Sequence, residues 1–121
     1  MKIVEINSVN YGSTGNIMLQ IAERAMEKGA EVYTFSSCGN DMKKGIPNHG
    51  FIGNRLSRIL AVRLGYYTGL SGHFSYFATK RFLKEIDRIK PDIIHLHNLH
   101  SEYINIRVLF NYILFRSHSN I

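Results

Sequence analysis

The opening segment, MKIVEINSVN, sets Ile3, Val4 and Ile6 in a short β-branched run, which predicts a strand from Lys2 to about Ser8. The turn YGSTGN follows, and from Asn16 the period of the pattern changes. Ile17, Met18, Ile21, Ala22, Ala25 and Met26 recur at helical spacing, while Gln20, Glu23, Arg24, Glu27 and Lys28 fill the opposite side. An amphipathic helix is expected there, with Gly29 as its stop. EVYTFSS, Glu31 to Ser37, reads as a second strand. Strand, glycine turn, helix and strand in that order open a parallel α/β sheet, whose crossovers are right-handed in nearly all proteins.

Beyond Ser37 the pattern weakens and then returns. Cys38 to Gly50 reads as a polar loop. A helix is expected from about Asn54 to Tyr66, with Leu56, Ile59, Leu60 and Leu64 inward and Arg55, Arg58 and Arg63 outward, before TGLSG breaks it. His73 to Lys90 is the clearest long helix, with Phe74, Ala78, Phe82, Ile86 and Ile89 on one side and Pro91 ending it. DIIHLHN, Asp92 to Asn98, then reads as a strand. Ser101 can cap a last helix carrying Ile106, Leu109, Phe110, Ile113 and Leu114, and the polar stretch 116–121 is expected to be a disordered or aberrant tail. The fold class is therefore α/β: a partial Rossmann-like parallel sheet flanked by helices, forming one domain over residues 1–115.

Composition agrees with this picture. The chain has 121 residues, 45% of them hydrophobic and 20% charged, enough for one modest core and too apolar for a disordered chain. No stretch approaches the ~20 apolar residues of a spanning helix, and the first residues lack the apolar run of a secretory signal. A cytoplasmic protein is expected, and the single cysteine, Cys38, leaves no internal disulfide. Of the net charge of +6, the segment from Lys43 to Lys90 holds ten cations against Glu85 and Asp87, so the middle of the chain carries the basic surface. Solvated helix faces account for that charge, as does contact with an anionic membrane or a phosphate-bearing ligand. Nucleic acid is set aside because no aromatic-basic recognition motif accompanies it.

Two segments carry candidate chemistry. Gly12, Ser13, Thr14 and Gly15 lie where the first strand turns into its helix. Glycine there allows close backbone approach, and first-turn amides at the positive end of the helix dipole suit a phosphate, although a tight turn before a capped helix explains the same residues. The dinucleotide fingerprint is absent, since it wants a third glycine and an acid after the second strand, where Ser36 and Ser37 stand. An ATPase-type phosphate loop is absent too, because Asn16 and Ile17 follow Gly15. In HLHNLH, His95 and His97 share one strand face while Ile94 and Leu96 point the other way. With His100 the pair could chelate zinc, but the nearest acid in sequence is Glu102, and the reading assigns no metal and no cofactor. His95 is expected as a satisfied histidine beneath a helix. His97, Asn98 and His100, at the carboxyl end of a parallel strand, are expected to border the same crevice as Gly12 to Gly15.

Taken together, KIVEINSVNYGSTGNI, ATKRFLKEIDRIKPDIIHLHN and YINIRVLFNYI resemble the N-terminal lobe of bacterial glycosyltransferases of the GT-B fold, in order and over nearly the whole chain. The resemblance implies that Gly12 to Gly15 face the phosphates of a nucleotide-sugar donor and that His97, Asn98 and His100 belong to the donor and acceptor cleft. It implies that Arg55, Arg58 and Arg63 meet an anionic membrane or a lipid-linked acceptor, each cation near such a surface contributing ~1 kcal/mol. Members of that group continue into a further strand, an active-site histidine and a second, nucleotide-binding lobe. The resemblance thus implies an incomplete lobe with no catalytic residue of its own, which transfers sugar to a polysaccharide or lipid-linked glycan only with that second lobe. A non-catalytic binding module or partner-docking fragment is the alternative. Self-association through the exposed edge of the strand at Asp92 to Asn98 is expected as well.

Overall fold

The computed structural model describes residues 1–37, 45–53, 59, 63–64, 66–68, 76–99 and 103–119. Four strands, β1 (Lys2–Ile6), β2 (Glu31–Ser37), β3 (His49–Ile52) and β4 (Ile93–Leu96), form an all-parallel sheet in the order β3-β2-β1-β4. Three helices lie wholly within the described residues: α1 (Gly12–Glu27), α2 (Tyr76–Ile89) and α3 (Ile106–Ser119). This is a partial Rossmann-like α/β fold. The chain steps outward from β1 to β2 and β3, then returns across the sheet to lay β4 on the other side of β1. β1 and β4 therefore bound a topological switch point, where loops leave two adjacent parallel strands in opposite directions and open a crevice at their carboxyl ends.

Side-chain alternation divides the sheet into two unlike faces. Val4, Ile6 and Phe35 project to one side, where they join Ile52, Phe82, Leu83, Ile86, Ile89 and Leu109 in the hydrophobic core beneath α2 and α3. Phe35 meets Phe82 edge-on with ring centroids 4.8 Å apart. Burying one such side chain contributes roughly 1.5–3 kcal/mol, so this face holds most of the fold's apolar driving force. A hydrogen bond from the Asn105 backbone to Thr79 Oγ1, 2.7 Å, ties the start of α3 to α2. Asn105 Oδ1 in turn accepts from the Val108 amide at 3.1 Å and caps the helix.

The opposite face, under α1, is polar along its middle. Register places His49 beside Thr34, Thr34 beside Glu5 and Glu5 beside His95, one continuous row across all four strands. α1 rests on this face through Gly15, Met18 and Ala22. Its predicted apolar side is only half used: Ile17, Ile21 and Met26 remain exposed at 51%, 37% and 39%. The helix packs mainly on β2 and touches β1 less, which leaves part of its apolar side uncovered.

Several boundaries depart from the sequence reading. The segment from Cys38 to Gly50, expected as loop, ends in β3, whose His49 and Gly50 pair with Thr34 and Phe35. HGFI has neither alternation nor β-branched density, and it is held by its neighbour and not by its own propensity. The stretch expected as a tail from Arg116 is helical through Ser119. Arg116 donates to the Pro91 carbonyl oxygen at 2.9 Å, which anchors the last turns of α3 to the start of β4. Among the described residues β4 is a terminal strand, and beside its outer edge Ile94, Leu96, Phe110 and Ile113 line an apolar groove. Of the helix expected from Asn54 to Tyr66, Ile59, Arg63, Leu64 and Tyr66 are helical, while Arg55 and Arg58 lie outside the described residues. No helix among the described residues is long and apolar enough to cross a membrane.

Candidate functional site

At the carboxyl end of β1 the chain turns through Ser8–Tyr11 into α1. Tyr11 is extended and its side chain makes no capping hydrogen bond to the helix. Gly12 has φ +70°, a left-handed conformation, and a Cβ there would meet open space. Gly15 is glycine for a different reason: a Cβ would stand 2.6 Å from the Asn10 carbonyl carbon. Ser13 and Thr14 are exposed, and no acidic residue occupies the first turn. The positive end of α1 thus faces outward with two hydroxyls and no competing carboxylate of its own.

The second rim of the crevice is the segment after β4. Asn7, wholly buried, joins it to the first: its Nδ2 donates to the Val9 carbonyl oxygen at 2.9 Å, and its Oδ1 accepts from the Asn98 amide at 3.1 Å. The His97 amide donates to Ile6 O at 2.9 Å, and Tyr103 Oη donates to the Asn98 carbonyl oxygen at 2.7 Å. Both polar groups of the Asn98 backbone are therefore fixed. Burial pushes the Tyr103 phenol well above its ordinary range, which keeps it a donor.

Below this rim lies a carboxylate that sequence reasoning missed. Glu5 is only 1% exposed, in the middle of β1. His97 Nε2 stands 2.5 Å from Glu5 Oε2, and His95 Nδ1 stands 2.9 Å from the same oxygen and 3.2 Å from Oε1. The rings lie face to face at a tilt, centroids 4.2 Å apart. A lone buried carboxylate would be destabilised by several kcal/mol, and the two imidazoles supply the partners that prevent this. His95 is not beneath a helix as expected: its side chain is 46% exposed, against 12% for His97.

A second histidine closes the other end of the polar row. Thr34 Oγ1 lies 2.7 Å from His49 Nδ1, while Ser36 Oγ and Asn10 Nδ2 lie 3.0 and 3.3 Å from Nε2. The Asn10 Nδ2 group can only donate, so Nε2 accepts and Nδ1 carries the proton toward Thr34. This neutral tautomer agrees with the direction in which burial moves His49, below the ordinary imidazole range. Ser37, beyond Ser36, donates from Oγ to the Ser8 carbonyl oxygen at 2.7 Å. The two serines that replace a dinucleotide-site acid thus serve the β1 turn and His49.

Gly12 to Gly15, at the start of α1, and His97 and Asn98, just past β4, follow the carboxyl ends of two adjacent strands, β1 and β4. His100 and Glu102 lie outside the described residues, as do Cys38, Lys43 and Lys44. Arg63 is described and exposed, with no ion pair among the described residues. Glu5 was detectable as an acid inside an otherwise apolar strand; its pairing with His95 was not, because that needs the register between segments 90 residues apart. No known protein family, no curated protein and no solved structure matches this chain.

Proposed function

We propose that the chain is the acceptor-side lobe of a GT-B type glycosyltransferase and contributes half of a cleft that holds a nucleotide-sugar. One observation carries the reading: the switch point between β1 and β4 brings the Gly12–Gly15 turn and the His97–Asn98 rim to the same end of the sheet, with Asn7 bonded to both sides. The amides and hydroxyls at the start of α1 stabilise the negative charge that develops on a departing diphosphate. His97 and Asn98 bound the side where the acceptor sugar enters. A second lobe supplies the nucleotide contacts, so this half alone binds the donor weakly and turns it over negligibly. The donor, a glycan or lipid-linked acceptor, and an anionic membrane surface met by Arg55, Arg58 and Arg63 are the partners in this reading.

The test is a titration of the isotope-labelled chain with UDP-glucose, GDP-mannose and inorganic pyrophosphate, followed by amide chemical shifts. Millimolar binding that moves Gly12, Ser13, Thr14, Gly15, His97 and Asn98 is expected. Shifts confined to other surfaces, or none at ten millimolar ligand, would sink the proposal. A non-catalytic docking module is the second reading, favoured by the apolar groove at the outer edge of β4.

A further inference from the structure

We infer that Glu5, His95 and His97 form a binding site for one divalent transition ion of the zinc class, with the remaining coordination position open toward solvent beside His95. The inference does not rest on the glycosyltransferase reading. Its starting point is placement: Glu5 and His95 are direct partners in the β1–β4 register, and His97 follows two residues on, so all three side chains leave the same face of two paired strands. One oxygen and two ring nitrogens lie within 4.8 Å of one another. Sheet backbone holds the donors, and Glu5 and His97 are largely fixed by burial, so little conformational freedom is lost on binding.

The donor chemistry selects the ion. Two imidazoles and one carboxylate suit zinc, cobalt or nickel, whereas calcium and magnesium prefer oxygen donors throughout. Three protein ligands with a solvent-facing fourth position is the pattern of an accessible zinc site. Bonds of about 2.0–2.1 Å in tetrahedral geometry require donor atoms about 3.3 Å apart. The nitrogens stand 2.5 and 2.9 Å from Glu5 Oε2 and, with that oxygen, lie within 4.8 Å of one another, so each must move away from the oxygen by less than an ångström while the two nitrogens settle about 3.3 Å apart. His95, 46% exposed, has the room to swing outward. In the bound form His95 Nδ1 and His97 Nε2 each offer a lone pair to the ion, the ring proton sits on the nitrogen facing away from Glu5, and the carboxylate neutralises half of the ion's charge.

A closed hydrogen-bonded triad would share these distances, and cobalt substitution separates the two. Tag-free chain stripped with a chelator is titrated with Co2+ and watched for the visible absorption of low-coordinate cobalt, with Zn2+ as competitor. One equivalent is expected, displaced by zinc, with Glu5→Gln and His97→Ala each weakening binding at least tenfold and His49→Asn leaving it unchanged. Because Glu5→Gln could disturb folding, His95→Ala, at a half-exposed position, is the second variant, and circular dichroism checks all of them. Long-range nitrogen spectra of the histidine rings should show His95 Nδ1 and His97 Nε2 moving with zinc. A colourless titration, undiminished binding in the His95 and His97 variants, or movement of other rings alone would each overturn the site.

Discussion

Gly15→Ala tests whether the start of α1 is packed as tightly on the β1 turn as the backbone indicates. The added methyl stands 2.6 Å from the Asn10 carbonyl carbon, and 3.1 Å from both Asn10 Cα and the Val9 carbonyl oxygen. Carbon atoms rest about 3.5–4.0 Å apart, so relief requires a displacement on the order of 1 Å. The obstructing atoms are backbone and cannot rotate away. Asn10 is wholly buried with its side chain on His49, and Val9 O is held by Asn7, so any movement spreads to the His49 end of the polar row and to the Asn7 bridge between the rims. Overpacking of this kind destabilises by about 1–3 kcal/mol, and alanine's better helix propensity returns at most ~1 kcal/mol. A net loss of ~1–2 kcal/mol is expected, which for a chain of this length lowers Tm by roughly 4–8 °C.

Gly12→Ala is the control. It meets no neighbour within 4 Å, but at φ +70° an L side chain costs ~1 kcal/mol of local strain. Urea and thermal unfolding followed by circular dichroism would rank the two variants, and amide spectra would show whether Asn10 and His49 move. Gly15→Ala should shift both residues, and Gly12→Ala neither. If Gly15→Ala matched or exceeded wild-type stability, or left Asn10 and His49 in place, the close approach would be wrong, and with it the fixed geometry of the crevice's first rim.

Burial of neutral His49 makes stability depend on pH in a definite direction. Its folded-state pKa lies below the unfolded value of 6.5, so the unfolded chain binds more protons between them and stability falls as pH drops below 6.5, levelling once the folded pKa is passed. His49→Asn should flatten this part of the stability profile between pH 7 and 5 in urea unfolding; an unchanged slope would assign the effect elsewhere. At the outer edge of β4, Phe110, 45% exposed, lines the apolar groove. Phe110→Lys should reduce concentration-dependent association in light scattering without lowering Tm by more than a few degrees, and a wild-type monomer at all concentrations would count against that surface.

What could be read in advance followed the reach of each signal. Period-two and helical spacing are local, and they located β1, α1, β2, α2 and β4 to within a few residues. Parity alone put His95 and His97 on one face and Ile94 and Leu96 in contact with the core on the other. β3 was invisible because its four residues take their conformation from β2. The exposed flank of α1 was misjudged because periodicity says which side of a helix is apolar, not how much sheet lies under it. Glu5 and His49 acquired their roles only through register, a long-range property that no window along the chain contains.

Asn7 has a consequence for how the crevice would receive any molecule. Because one amide side chain bonds to Val9 on one rim and Asn98 on the other, the rims cannot drift apart without breaking a buried contact. Their relative freedom was surrendered when the chain folded, so a ligand spanning them meets a pre-organised frame and need not bear that entropy itself.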